Sequence, residues 1–147
     1  IQNIFFVNLF VNILKILEPK HPKLIHHIHH LIINQVYHPR TFKDTLSEPG
    51  ENKAKRWQVS NGLLIAQIYK ARKYSQLFME KILKMWLSRT SPESLVPLEI
   101  LVKVIPELKK EKGFKLEKSI SEKLTAISQD KSYPGRLRLL LTLPSKR

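Results

Sequence analysis

The long apolar segments of this chain repeat at the 3.6-residue period of an α-helix, and no Asn-Gly or Asp-Gly turn separates two alternating, strand-like runs. Glycine is scarce, with four in all. Together these features point to an all-α fold. Helix one is expected over about Ile4–Leu17 and ends at "EPKHP", residues 18–22. Pro22 suits the first turn of helix two, which runs to about Val36. The stretch 37–57, with two prolines and the first glycine of the chain, is expected to be a surface loop or insertion and the least ordered part. Helix three is placed at about Val59–Lys73, and Ser75 is positioned to cap helix four, "QLFMEKILKMWLSR". "SPES" at 91–94 reads as the next start, with Ser91 as cap and Pro92 in the first turn. Helix five then continues to about Lys110; Pro97 and Pro106 should shorten or kink it, and Gly113 should stop it. Helix six is "FKLEKSISEKLTAIS", with Leu116, Ile120, Leu124 and Ile127 on one face, and a last helical piece, "RLRLLLTL", follows "YPG".

These helices form pairs in sequence, each an apolar first helix, a short polar turn and a more amphipathic second helix. The units are expected at about 4–36, 59–89 and 91–128, followed by a basic tail at 132–147, all in one domain spanning 1–147. Units two and three start roughly 36 residues apart, a period that marks an α-solenoid. The expected architecture is therefore a short stack of helical hairpins, the alternative being an irregular bundle of six or seven helices.

Charge bears on partners rather than on fold. Lys and Arg number 26 against 12 Asp and Glu, a net charge of +14. Such an excess favours a polyanion, either nucleic acid or an anionic membrane surface. There are no cysteines, which removes disulfides, thiolate chemistry and Cys-based zinc sites. The chain begins with Ile rather than Met, as expected of a processed or truncated chain. Its longest apolar run, "IQNIFFVNLFVNILKIL", is about a turn short of the roughly 20 residues of a spanning helix. Asn8, Asn12 and Lys15 share one narrow arc there, with Phe5, Phe6, Leu9, Phe10, Ile13, Leu14 and Leu17 around the rest. That pattern reads as a nearly buried helix in preference to an interfacial membrane helix, and a membrane is not expected as a partner.

The segment "LLIAQIYKARKYSQLFMEKILKMWL", residues 63–87, places the small Ala66 and Ala71 between bulky apolar positions, then a tyrosine and an "LF" opening the second helix. In this it resembles the helical-repeat proteins of organellar RNA metabolism, the FAST-kinase-like and RAP-domain proteins with heptatricopeptide-type repeats. "ILVKVIPELKKEKGFKLEKSISEKL" is a further copy, interrupted by Pro106. The paired base-reading positions of pentatricopeptide proteins do not lay onto the chain, and no terminal RAP domain is seen. The resemblance implies RNA binding, or membership of an organellar (mitochondrial) ribonucleoprotein such as the ribosome, with RNA and neighbouring proteins as partners.

Within the chain the basic residues cluster. A wheel of helix three places Gln67, Lys70 and Lys73 on the polar side, opposite Leu64, Ile65, Ile68 and Ala71, with Arg72 at the edge. Lys53, Lys55 and Arg56 lie just upstream. Lysine and arginine in this region would contact phosphates, giving affinity and orientation but little sequence reading. Trp57, Tyr69 and Tyr74 could stack on bases, although core packing is the commoner role for such rings. Arg136, Arg138, Lys146 and Arg147 have no acidic neighbour in sequence and could reach RNA or a neighbouring subunit. In "KKEKGFKLEK", 109–118, glutamates interleave with lysines and part of the charge closes on itself.

The histidines of "KLIHHIHHLII", 23–33, raise the question of a metal. His26 and His30 share one helix face with His27 and His29 flanking, opposite Leu24, Ile25, Ile28, Leu31 and Ile32, but the helix holds no Asp or Glu to complete a ligand set. A polar face is the preferred reading, and no metal or other cofactor is expected. No phosphate-binding glycine loop, nucleophile elbow or paired carboxylate in an apolar setting is present, so the chain is read as non-catalytic, without a small-molecule substrate. The expected function is a non-catalytic, RNA-binding helical-repeat protein, a structural part of a ribonucleoprotein. The alternative is a helical scaffold subunit making protein or membrane-surface contacts in a mitochondrial complex.

Overall fold

The computed structural model describes residues 4–71 and 74–142, apart from the side chains of residues 4 and 5. Among these residues the fold is all-α, with seven helices and no strand beyond one isolated bridge between Ser91 and Ser94. The helices are α1 (Ile4–Leu17), α2 (Pro22–Tyr37), α3 (Gly50–Lys70), α4 (Gln76–Arg89), α5 (Val96–Lys109), α6 (Lys118–Ser128) and α7 (Gly135–Thr142). The chain divides into two compact units, Ile1–Ile68 and Tyr69–Arg147, with the division inside α3.

In the first unit α1 packs on α2. Val7, Val11 and Leu14 face inward on α1, and Ile25, Ile32 and Val36 on α2, each set at helical spacing. The expectation of a nearly buried first helix needs correction. Phe6, Leu9, Phe10, Ile13 and Ile16 are all 40–72% exposed, because a helix resting on one neighbour buries one stripe only. Leu24 and Leu31, assigned by the wheel to the dry face of α2, are likewise half exposed.

The stretch 37–57 also departs from expectation, since its last eight residues belong to α3, which starts at Gly50 rather than near Val59. The start is set from outside the helix. The Gly50 backbone N–H donates to Asp44 Oδ1 at 2.6 Å, which places a carboxylate at the positive end of the helix. Arg56 grips Glu48 through both carboxylate oxygens at 2.6 Å each. Trp57 meets Phe42 edge-on at 5.8 Å, and its Nε1 donates to Gln35 on α2. The Arg40 guanidinium lies 4.8 Å from the centre of the Phe42 ring. Residues 38–49 are thus irregular but tied down.

The second unit is built on α4 packing against α5 and α6, with α7 against both α5 and α6. Met79, Ile82, Leu83, Leu98, Leu101, Val104, Leu108, Ile120 and Leu137 are fully buried and form its core. Ser75 caps α4 as expected, its hydroxyl accepting from the Phe78 N–H at 3.1 Å. Ser91 does not cap α5. Residues 91–94 close a tight turn through two reciprocal backbone hydrogen bonds, and the helix begins at Val96 with Pro97 in its first turn. The helix continues through Pro106, which faces solvent, to Lys109. Gly113 takes φ +91°, the left-handed conformation that favours glycine beyond a helix end. Helix six starts at Lys118 rather than at Phe114, which leaves Leu116 outside it and half-buried.

Candidate functional site

The basic residues expected to contact RNA fall in both units. In the first unit, Lys53, Lys55 and Arg56 lie in the first two turns of α3. The two charge-assisted hydrogen bonds that hold Arg56 also pull the Glu48 carboxyl below its ordinary range and raise the guanidinium further. Arg56 therefore anchors the 38–49 segment. Gln67 is 8% exposed and belongs to the interior, so its assignment to the polar face is wrong. Leu64 takes a half-buried position instead.

In the second unit Lys70 approaches Glu107 at 3.5 Å, and Lys110 meets the same carboxylate at 2.9 Å. Arg72 and Lys73 lie outside the described residues, as do Lys146 and Arg147. The tail arginines were expected to lack acidic neighbours, and folding supplies them. Arg136 pairs with Glu99, 37 residues upstream, at 2.5 Å. Arg138 is half-buried, with its charge acting on Asp130 and its Nε enclosed without an acceptor among the described residues. The 109–118 stretch closes on itself only in part, since Glu117 pairs with Lys84 of α4 at 2.6 Å and its carboxyl is held below the ordinary range. Lys109, Lys112 and Lys115 are exposed and have no carboxylate partner among the described residues.

Of these, Lys112 lines a polar cavity of about 300 Å³ in the second unit, together with Tyr69, Tyr74, Gln76, Glu111 and Gly113. Sequence reasoning singled out the two tyrosines and, separately, the 109–118 stretch, but did not join them, because the α5–α6 connection lies about forty residues downstream of Tyr69. Each ring is held by another: Tyr69 sits edge-on to Phe114 at 6.1 Å, and Tyr74 rests against Phe78 at 4.6 Å. Burial pushes the Tyr74 hydroxyl up to about 12. Gln76 Nε2 donates to the Lys115 carbonyl at 3.1 Å and to Glu80 at 3.3 Å, which clamps the loop to the start of α4. Another cavity, lined by Leu101, Ile105, Leu124 and Leu140 among others and with Lys109 at its wall, holds only about 110 Å³, well below the usual size of a ligand pocket.

Trp57, the third aromatic considered for stacking, is 37% exposed and engaged with Phe42, Arg40 and Gln35, a structural role in the first unit. On α2 the His26 and His30 rings stack at 6.2 Å, and no group of three or more potential metal ligands gathers among the described residues. No described helix is long and apolar enough to cross a membrane. Comparison with protein-family models, curated proteins and solved structures returned no match.

Proposed function

We propose that this chain is a non-catalytic RNA-binding protein that contacts phosphates through exposed lysines, as a structural part of a ribonucleoprotein. One observation carries the reading. The second unit holds 18 of the basic residues against 8 acidic ones, a net charge of +10, and the lysines at 109, 112 and 115 remain exposed, Lys112 at the edge of an aromatic, polar cavity. Exposed cations and partly exposed aromatic rings on one unit suit a polyanion with stackable bases. An organellar ribosome or a related particle as the setting rests on the resemblance of residues 63–87 alone. Charge reversal at Lys109, Lys112 and Lys115 should abolish crosslinking to RNA in the native assembly. Undiminished crosslinking would contradict the reading.

A second reading, a helical scaffold subunit docked on protein or on a membrane surface, is favoured by the exposed Phe6, Leu9, Phe10, Ile13 and Ile16 of α1. Under it, polar substitutions at Leu9 and Ile16 would release the chain from its assembly, whereas the lysine reversals would leave it in place.

A further inference from the structure

We infer that His26 and His30 on α2 form a two-imidazole surface site for one divalent transition-metal ion. The inference is independent of the RNA-binding reading, and it departs from the expectation that the histidine face carries no metal. A complete ligand set from the chain is not required, because water fills the coordination positions that protein leaves open. All six histidines of the chain lie between residues 21 and 38, and those at 26, 27, 29 and 30 fall within two turns of α2.

Helix geometry singles out one pair among them. Residues four apart stand one above the other with Cβ atoms roughly 5–6 Å apart, so both side chains can reach one ion. The His26 and His30 rings already stack, with centroids 6.2 Å apart and planes 29° from parallel. Two imidazoles bonded to one ion at about 2.0–2.1 Å need ring centres roughly 5–6 Å apart, so small side-chain rotations close the difference. Both residues are exposed, which leaves room for those rotations, and neither ring has a hydrogen-bond partner among the described residues. His29 is half-buried and already engaged, and His27, three residues from His30, makes no ring contact with it. With no Asp or Glu in α2, the donor set is nitrogen only. Such a set suits Cu²⁺, Ni²⁺ and Zn²⁺, with Cu²⁺ held most tightly, and discriminates against Mg²⁺ and Ca²⁺, which take oxygen ligands. A bound ion would tie one turn of α2 to the next.

The test titrates the full chain with CuCl₂, NiCl₂, ZnCl₂ or MgCl₂, each alone in a non-coordinating buffer, by isothermal titration calorimetry. A single Cu²⁺ should occupy the tight site, Ni²⁺ and Zn²⁺ should bind more weakly, and Mg²⁺ should give no heat of binding. Loss of an outer-shell partner costs a metal site roughly 10–100-fold, so loss of a ligand through His26→Gln or His30→Gln should cost at least as much. His21→Gln, His27→Gln and His38→Gln should leave the Cu²⁺ affinity unchanged. Because His26 and His30 are exposed, their variants should keep the helical circular dichroism of the native chain, while losing the rise in unfolding midpoint that Cu²⁺ gives it. Absence of Cu²⁺ binding, or an affinity that survives both substitutions or falls equally with His21→Gln and His38→Gln, would overturn the site.

Discussion

The Tyr74 hydroxyl reports directly on packing beside the candidate site. Burial favours its neutral form, so the folded chain loses this proton near pH 12, whereas the unfolded chain loses it at the ordinary value of 10. Its contribution to stability is complete below pH 10 and disappears as pH rises toward 12. A spectrophotometric titration should therefore show a tyrosine phase near pH 12, and Tyr74→Phe should remove that phase while leaving Tyr133, which burial also raises. A Tyr74 that ionises at its ordinary value would mean the ring is not enclosed as described. Leu101, fully buried in the second unit, supplies a check of a different kind: Leu101→Ala should cost about 2–5 kcal/mol in chemical denaturation. That Ile120 and Leu124 of α6 face inward was legible in their spacing. The fate of the polar residues was not. Gln67 is interior because the surroundings of α3, rather than its own wheel, decide which arc is enclosed. Arg136 acquired Glu99 across 37 residues, a distance that local charge patterning does not span.

Helix ends obeyed local rules where the partner was adjacent in sequence. Pro22 opens α2, Ser75 caps α4 and Gly113 follows α5 in a left-handed conformation, each signalled by its own residue type. The Ser75 cap should be worth about 1 kcal/mol on substitution to Ala, measured by denaturant unfolding. The start of α3 escaped this kind of reading because its anionic partner, Asp44, lies six residues upstream across a proline-containing segment. Gly50 is required there for space: a Cβ would fall 2.0 Å from the Phe42 carbonyl oxygen, a backbone atom that cannot move aside cheaply. Gly50→Ala should accordingly destabilise the chain by about 1–3 kcal/mol and loosen the 38–49 segment in hydrogen exchange. An unchanged midpoint and unchanged protection would show that the close approach is not maintained in solution.

At the level of the entire chain, the class of fold was readable from the apolar period alone, since every long periodic segment became a helix. The pairing of helices was less so. Within the second unit α4 packs on α5 and α6 packs on α7, whereas the sequence repeat had joined helix five to helix six. Any two neighbouring amphipathic helices satisfy a hairpin pattern, so periodicity constrains what a helix buries more strongly than what it buries it against. The charge excess motivates the proposed polyanionic partner but does not say which residues would meet it. Arg56, Lys70 and Arg136 have carboxylate partners in the fold, while Lys109, Lys112 and Lys115 are exposed, with Lys112 at the tyrosine-lined cavity. If those lysines bind phosphate, affinity for single-stranded RNA must fall as counterions compete, with a log–log slope of about −0.7 for each phosphate engaged. The decisive experiment is a salt titration of RNA affinity for the full chain and for Lys112→Ala. The native chain should show a steep linear decline, and the variant should weaken binding for every sequence while flattening the slope by about 0.7. Affinity that does not change with salt, or a slope unchanged by the substitution, would contradict phosphate contact at this surface.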